Sequence, residues 1–248
     1  MEHRRGVVSF RTDDGIELPA VSAEEMREVD RVAVDKFGLG VLQMMENAGR
    51  SLAMHAMEML SESTGRVAVL AGSGGNGGGG LCCARHLRNH GVGVDLVLDR
   101  PPSRLAGPAA EQFRVLAESG AKPVPERDVA RAVGGAAVIV DALTGYGLVG
   151  APRGRVAELI EIANQSGGRI LSLDVPSGVN ATTGDMLGEA ILPERTLTLA
   201  LPKTGLARIP GELYVADIGI PVEVYGRLGT LVRPFFGDRY SVRVNARD

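Results

Sequence analysis

LAGSGGNGGGGLCCARHL, Leu70 to Leu87, places glycine at seven of the nine positions Gly72–Gly80 and then runs into a segment of helical character. A backbone without Cβ atoms can approach another group closely, and a phosphate, another small ligand or a tight turn would each use it. The run before it, RVAVLAG from Arg66, is short and apolar, so the local order is strand, glycine turn, helix. Gly72-Ser73-Gly74-Gly75-Asn76-Gly77 satisfies the spacing of a dinucleotide-phosphate turn, with Asp95 or Asp99 as the acidic residue further on. Alone, this is a weak signal that a flexible turn would also give.

Outward from that stretch the rhythm repeats. GVDLVLD (93–99), AAVIVDAL (136–143) and RILSLDVPSG (169–178) read as buried strands, rich in Val, Ile and Leu with little polar alternation. Between them lie the helical segment after the glycines, AAEQFRVLAESG (109–120) and RVAELIEIANQSG (155–167). Alternating strands and helices predict parallel strands joined by right-handed crossovers. RTLTLALPK (195–203) and GELYVADIGI (211–220) add further strands at one side. The expected fold is α/β: a single three-layer Rossmann-like domain, mostly parallel, with helices on both faces. Two N-terminal helices precede the first of these strands. SAEEMREVDRVAVDKFG starts with Ser22 three residues before Glu25, a capping-box spacing, and ends at Gly38; Met26, Val29, Val32 and Ala33 share one face. LQMMENAGRSLAMHAMEML carries a Met and Leu stripe suited to the core. Residues 1–20 are expected as an N-terminal extension, with a small hairpin across Asp13-Asp14-Gly15, and 21–248 as the domain.

Bulk properties narrow the function. The 248 residues are 44% hydrophobic with a formal net charge of −3 and no Lys/Arg block, which disfavours nucleic acid as a partner. No run approaches the ~20 apolar residues of a membrane span, and none after MEHRR suits a signal peptide, so a soluble cytoplasmic protein is expected. Cys82 and Cys83 are adjacent, which suits packing rather than a disulfide framework or zinc. None of His3, His55, His86 and His90 falls in a candidate motif, and DVPSGVN lacks a nucleophile elbow, which disfavours a serine hydrolase.

In a parallel sheet the ligand crevice lies outside the carboxyl ends of the strands. The glycine turn with Asn76, Asp141, the Gly145-Tyr146-Gly147 turn, and Asp174 with Ser177 all fall there. Acidic residues at strand ends are often only turn formers. Glycine amides and the positive end of the following helix would suit an anion, with pyrophosphate the favoured guest.

These motifs, in this order, resemble the YjeF N-terminal family of NAD(P)HX epimerases from Val21 to Pro221. MMENAGRSLA is similar to the family's Met-Glu-x-Ala-Gly helix, and GSGGNGGGGLCCARHL to its Gly-Pro-Gly-Asn-Asn-Gly-Gly-Asp-Gly loop with the helix after it. DALTGYGLVGAPRG, LDVPSGVNATTGD and LALPKTGL supply the later motifs. The resemblance implies epimerisation at C6 of NADHX or NADPHX, hydrated nicotinamide cofactors, in a metabolite repair coupled to a separate dehydratase. It implies substrate binding by Gly75, Asn76, Gly77, Gly78 and Gly79, by Gly145, Tyr146, Gly147, Leu148, Val149, Gly150 and Ala151, and by Asp174. It also implies a potassium ion held by Asn76, Asp141 and Ser177, and a homodimer, for which the amphipathic N-terminal helices offer a surface unless burial within the monomer uses them. Asp174 is the candidate acid/base, because burial can keep a carboxyl protonated near neutral pH; simple orientation of the substrate is the alternative. Lys203 is either its electrostatic partner or a solvated turn lysine. Asp174→Asn is expected to spare folding. Gly75 and Gly79 stand where the family has Asn and Asp, and the family Asp is expected to act as a first-turn helix residue. That departure leaves open a binding protein of this fold without turnover; a redox dehydrogenase is the other rival.

Overall fold

The computed structural model describes residues 8–60 and 65–247. Strands β1 (Ser9–Thr12) and β2 (Glu17–Pro19) form the expected hairpin, followed by α1 (Ala23–Phe37) and α2 (Val41–Leu60). The capping box at the start of α1 is formed: Glu25 N donates to Ser22 Oγ while Ser22 N donates to the Glu25 carboxylate at 2.7 Å. Gly38 closes the helix at φ 71°, a conformation that glycine adopts without a Cβ penalty. Met26, Val29, Val32 and Ala33 are all buried.

The alternating part follows as β3 (Val67–Ala71), α3 (Gly75–Asn89), β4 (Val94–Leu98), α4 (Gly107–Glu118), α5 (Val129–Gly134), β5 (Val138–Ala142), α6 (Arg155–Gln165), β6 (Arg169–Leu173), β7 (Arg195–Leu199), β8 (Glu212–Ala216), α7 (Val222–Arg227) and β9 (Ser241–Ala246). The sheet order is β2-β1-β9-β8-β7-β6-β5-β3-β4. Strands β4, β3, β5, β6, β7 and β8 are parallel, as their apolar runs predicted; β9, β1 and β2 add antiparallel strands beyond β8. Helices α2, α3 and α4 bury Leu52, Leu81, Leu87 and Leu116 against Val69, Val140 and Leu171 on one face of the sheet. Helices α5 and α6 cover Leu70 and Ile139 on the other with Val133, Leu159 and Ile160.

Residues 1–7 of the expected extension, His3 among them, lie outside the described residues. The rest of it is built into the domain. Phe10 is 0% and Leu18 1% exposed, each worth about 1.5–3 kcal/mol when buried, and both join the core that α1 shares with β8 and β9. Among the described residues no helix is long and apolar enough to cross a membrane.

Candidate functional site

Connectivity locates the crevice. From β3 the chain first crosses to β4 and then returns past β3 to β5, so neighbouring connections diverge at the β3/β5 boundary, where open α/β sheets bind ligands. A cavity of about 640 Å³ opens there, bordered by Ser73–Asn76, Gly79, Leu143–Val149 and Asp174.

The glycine stretch divides in two. Helix α3 begins at Gly75, earlier than the sequence suggests, so Gly75–Gly80 are already helical despite their poor propensity. Packing explains it. A Cβ on Gly77 would stand 1.7 Å from the Gly72 carbonyl oxygen, on Gly78 2.6 Å from Met45 Cε, and on Gly80 2.6 Å from the Ala142 Cβ. These glycines let α3 settle onto β3, β5 and α2. Only Gly74 and Gly75 would meet nothing within 4 Å, and these two border the cavity. Of the expected substrate contacts, Gly77, Gly78, Gly150 and Ala151 do not border it. Gly79 does, but it sits in the second turn of α3, and an added Cβ would lie 2.7 Å from Leu173 Cδ2. An Asp there cannot be the first-turn residue expected from the sequence.

Asp174 follows β6 at φ 67°, outside the usual range of non-glycine residues, in a turn closed by Val175 N donating to Leu173 O at 2.9 Å. The turn aims its carboxylate at β7 and the cavity. Lys203 Nζ donates to Asp174 Oδ1 at 2.5 Å and to Leu199 O at 2.8 Å; Tyr146 N donates to Oδ2 at 3.1 Å. Lys203 is 0% exposed, so it is the electrostatic partner and not a solvated turn lysine. Tyr146 extends the network, its hydroxyl donating to Asp30 Oδ2 at 2.5 Å and Lys203 Nζ lying 5.7 Å from its ring centroid. Burial pushes the Asp30 carboxyl above the ordinary aspartate range, against the Tyr146 hydrogen bond, and burial together with Asp30 pushes the Tyr146 hydroxyl up as well. Asp30 was missed because on α1 it is one more polar residue in a charged, amphipathic helix.

Below this floor, Asp141 is 0% exposed. Its carboxylate accepts from Ser177 Oγ at 2.5 Å, Ser172 Oγ at 2.8 Å, Ser177 N at 2.9 Å and Leu143 N at 3.3 Å. Full burial pushes its carboxyl up, and the bonds from Ser177 and Ser172 oppose that shift. Thr144 connects it to Asn76: Thr144 N donates to Ser177 Oγ at 2.9 Å, and Asn76 Nδ2 donates to Thr144 O at 2.8 Å and Leu173 O at 3.1 Å. The three expected cation ligands therefore share one neighbourhood whose acceptors are all oxygen, a donor set that fits a hard cation and not zinc.

Elsewhere, Glu46, Cys82 and His86 form a metal-like cluster between α2 and α3. There the Arg85 guanidinium donates to both Glu46 and Cys82 and already supplies the positive charge. Cys82 and Cys83 are buried, as expected for packing, and burial pushes the Cys82 thiol up to about 12.

Comparison with known proteins places the whole chain rather than its individual site residues. The family described as YjeF-related protein N-terminus matches residues 41–205. An NAD(P)H-hydrate epimerase of Dehalogenimonas lykanthroporepellens is 47% identical over 97% of this chain and 99% of its own. The bifunctional NAD(P)H-hydrate repair enzyme Nnr of Thermofilum pendens is 38% identical over 82% of this chain, which spans 41% of that longer protein. The crystal structure of yeast YNL200c superposes with a TM-score of 0.79 at 26% identity, covering 91% of this chain and all of the yeast one.

Proposed function

The chain belongs to the family of YjeF-related protein N-termini, and from that membership we propose that it is an isomerase that interconverts the R and S epimers of hydrated NADH and NADPH. The observation that carries this reading is one cavity bordered both by Gly75 and Asn76, at the start of α3, and by Asp174, whose carboxylate is paired behind the wall with the buried Lys203. The N–H groups of the first helical turn have no partner within the helix and face an anion favourably, so Gly75 and Asn76 would hold the pyrophosphate. The hydrated ring would then lie toward Asp174.

Epimerisation requires C6 to lose and regain its configuration. Either the ring nitrogen lone pair expels the oxygen, which receives a proton to leave as water while returning water gives one up, or the C6–N bond opens as the C6 hydroxyl loses its proton to become an aldehyde, the nitrogen takes a proton, and reclosure reverses both transfers. Asp174 borders the cavity and would move that proton, with Lys203 balancing its charge. A positioned acid/base contributes about 10²–10⁴-fold. Tyr146, bound to Asp30 across the cavity wall, would orient the ring and shield it from bulk water. Asn76, Asp141 and Ser177 would hold a potassium ion through oxygen, and it would supply a fixed positive charge beneath the cavity. The Thermofilum relative's name, a bifunctional repair enzyme, supports coupling to a dehydratase.

Gly75 and Gly79 depart from the family loop and favour one second reading, a protein that binds the nucleotide without turning it over. Incubation with R-NADHX and an S-specific dehydratase separates the two: accelerated recovery of NADH is expected, and binding without acceleration would leave only the second reading.

A further inference from the structure

The crevice extends beyond the reacting end, across β5 and β3 to the carboxyl end of β4. There Asp99 and Arg100 border the same cavity as Asp174. The four strands β4, β3, β5 and β6 are successive neighbours. At ~4.8 Å per strand, the ends of β4 and β6 stand about 14 Å apart, with the first turn of α3 between them. An extended dinucleotide whose diphosphate sits at that turn and whose hydrated ring lies over β6 therefore sends its other ribose to β4.

The residues there suit that ribose. Asp99 N donates to Ala71 O at 3.1 Å, which carries the ladder one residue past β4 and fixes Asp99 beside the end of β3. Its side chain is only 4% exposed, whereas that of Arg100 is 43% exposed and clamps the Asp99 carboxylate with bonds of 2.9–3.2 Å. The other acidic candidate, Asp95, is engaged by Arg66 at 2.8 Å and does not border the cavity. In dinucleotide folds an acidic residue at this strand end accepts from a ribose 2′-hydroxyl, and a nearby arginine accommodates a 2′-phosphate.

Resting on the epimerase reading, we propose that Asp99 and Arg100 form the adenosine-ribose subsite and admit both substrates. With the unphosphorylated nucleotide, Asp99 accepts the 2′-hydroxyl while Arg100 keeps its clamp. With the 2′-phosphorylated nucleotide, the half-exposed Arg100 turns to the phosphate, offsetting the repulsion Asp99 would otherwise exert; guanidinium geometry suits either anion.

Calorimetric titration of the full chain with adenosine 5′-monophosphate and adenosine 2′,5′-bisphosphate tests this without the nicotinamide end. Arg100→Ala should weaken the bisphosphate tenfold or more and leave the monophosphate within about twofold. Asp99→Ala should weaken the monophosphate several-fold and spare or strengthen the bisphosphate. Equal losses for both probes, no loss for either, or a wild-type protein that binds neither would overturn the proposal. Because neither probe can be epimerised, selective effects here alongside a failed coupled assay would remove the catalytic reading and leave the subsite standing.

Discussion

Strands β6 and β7 end in the same turn, and only the one after β6 places an ionisable side chain at the cavity. Asp174 has φ 67° and Ala200 φ 64°. Each continues the ladder onto the next strand, Asp174 N to Leu197 O at 2.8 Å and Ala200 N to Ala216 O at 3.1 Å. Each is followed by the same tight closure, Val175 N to Leu173 O at 2.9 Å and Leu201 N to Leu199 O at 2.8 Å. A non-glycine residue in this region invites a functional explanation. The repeat at Ala200, packed in the core, shows that the turn belongs to the way these strands end. What distinguishes Asp174 is its surroundings: a buried lysine, the Tyr146 amide and an open cavity.

The strongest way to break that comparison is Asp174→Asn. From the sequence the change looks benign, but it strips the buried Lys203 of the carboxylate with which it forms an ion pair. The expected outcome is a fall in epimerisation of about 10²-fold or more together with a loss of about 3 kcal/mol of stability in urea unfolding. Adding Lys203→Met should restore much of the stability and none of the activity. Full activity in the single variant would place Asp174 on the same footing as Ala200.

Next in size is Tyr146→Phe. The Tyr146 hydroxyl bond holds the Asp30 carboxyl down against its burial, so removing it should push the Asp30 carboxyl further up and make it harder to ionise. The acid limb of kcat/KM should move to higher pH, with a rate loss near the optimum of roughly tenfold. A limb that does not move would detach Asp30 and Tyr146 from the reaction.

The smallest effect belongs to Ala200→Gly. Relief of the left-handed conformation, about 1–2 kcal/mol, is offset by the lost methyl burial, about 0.8 kcal/mol, and by the freer unfolded chain, about 0.4–1 kcal/mol. Stability should stay within about 1 kcal/mol of wild type, and activity should not change. A clear loss of activity would mean that Ala200 itself takes part in the site after all.

Local signals carried a great deal. Ser22, Glu25 and Gly38 bounded α1 because caps are satisfied within a few residues, and the Val- and Ile-rich runs announced buried parallel strands because no polar face interrupts them. Asp174 and the Gly145 turn were legible as strand-end residues of one crevice, whereas Asp141, expected beside them, lies fully buried and does not border it. The strands outside that alternating pattern were less so: β9 went unread, and the hairpin at the amino terminus gave no sign that it would pair with it.

The sequence by itself determined the alternation of strands and helices, hence a parallel sheet with its crevice at the carboxyl ends, and the ordered motifs that mark the family. Tertiary structure alone decided which glycines face the open cavity and which face protein, since Gly75 and Gly77 differ only in what lies across from them. It also decided that Lys203 is buried against Asp174, that Tyr146 reaches Asp30, and that Asp99 shares a cavity with residues two strands beyond β3. The physical reason is the same in each case. Caps and periodicity act over a few residues, while burial and charge pairing depend on neighbours tens to more than a hundred positions away, which only the packed sheet brings together.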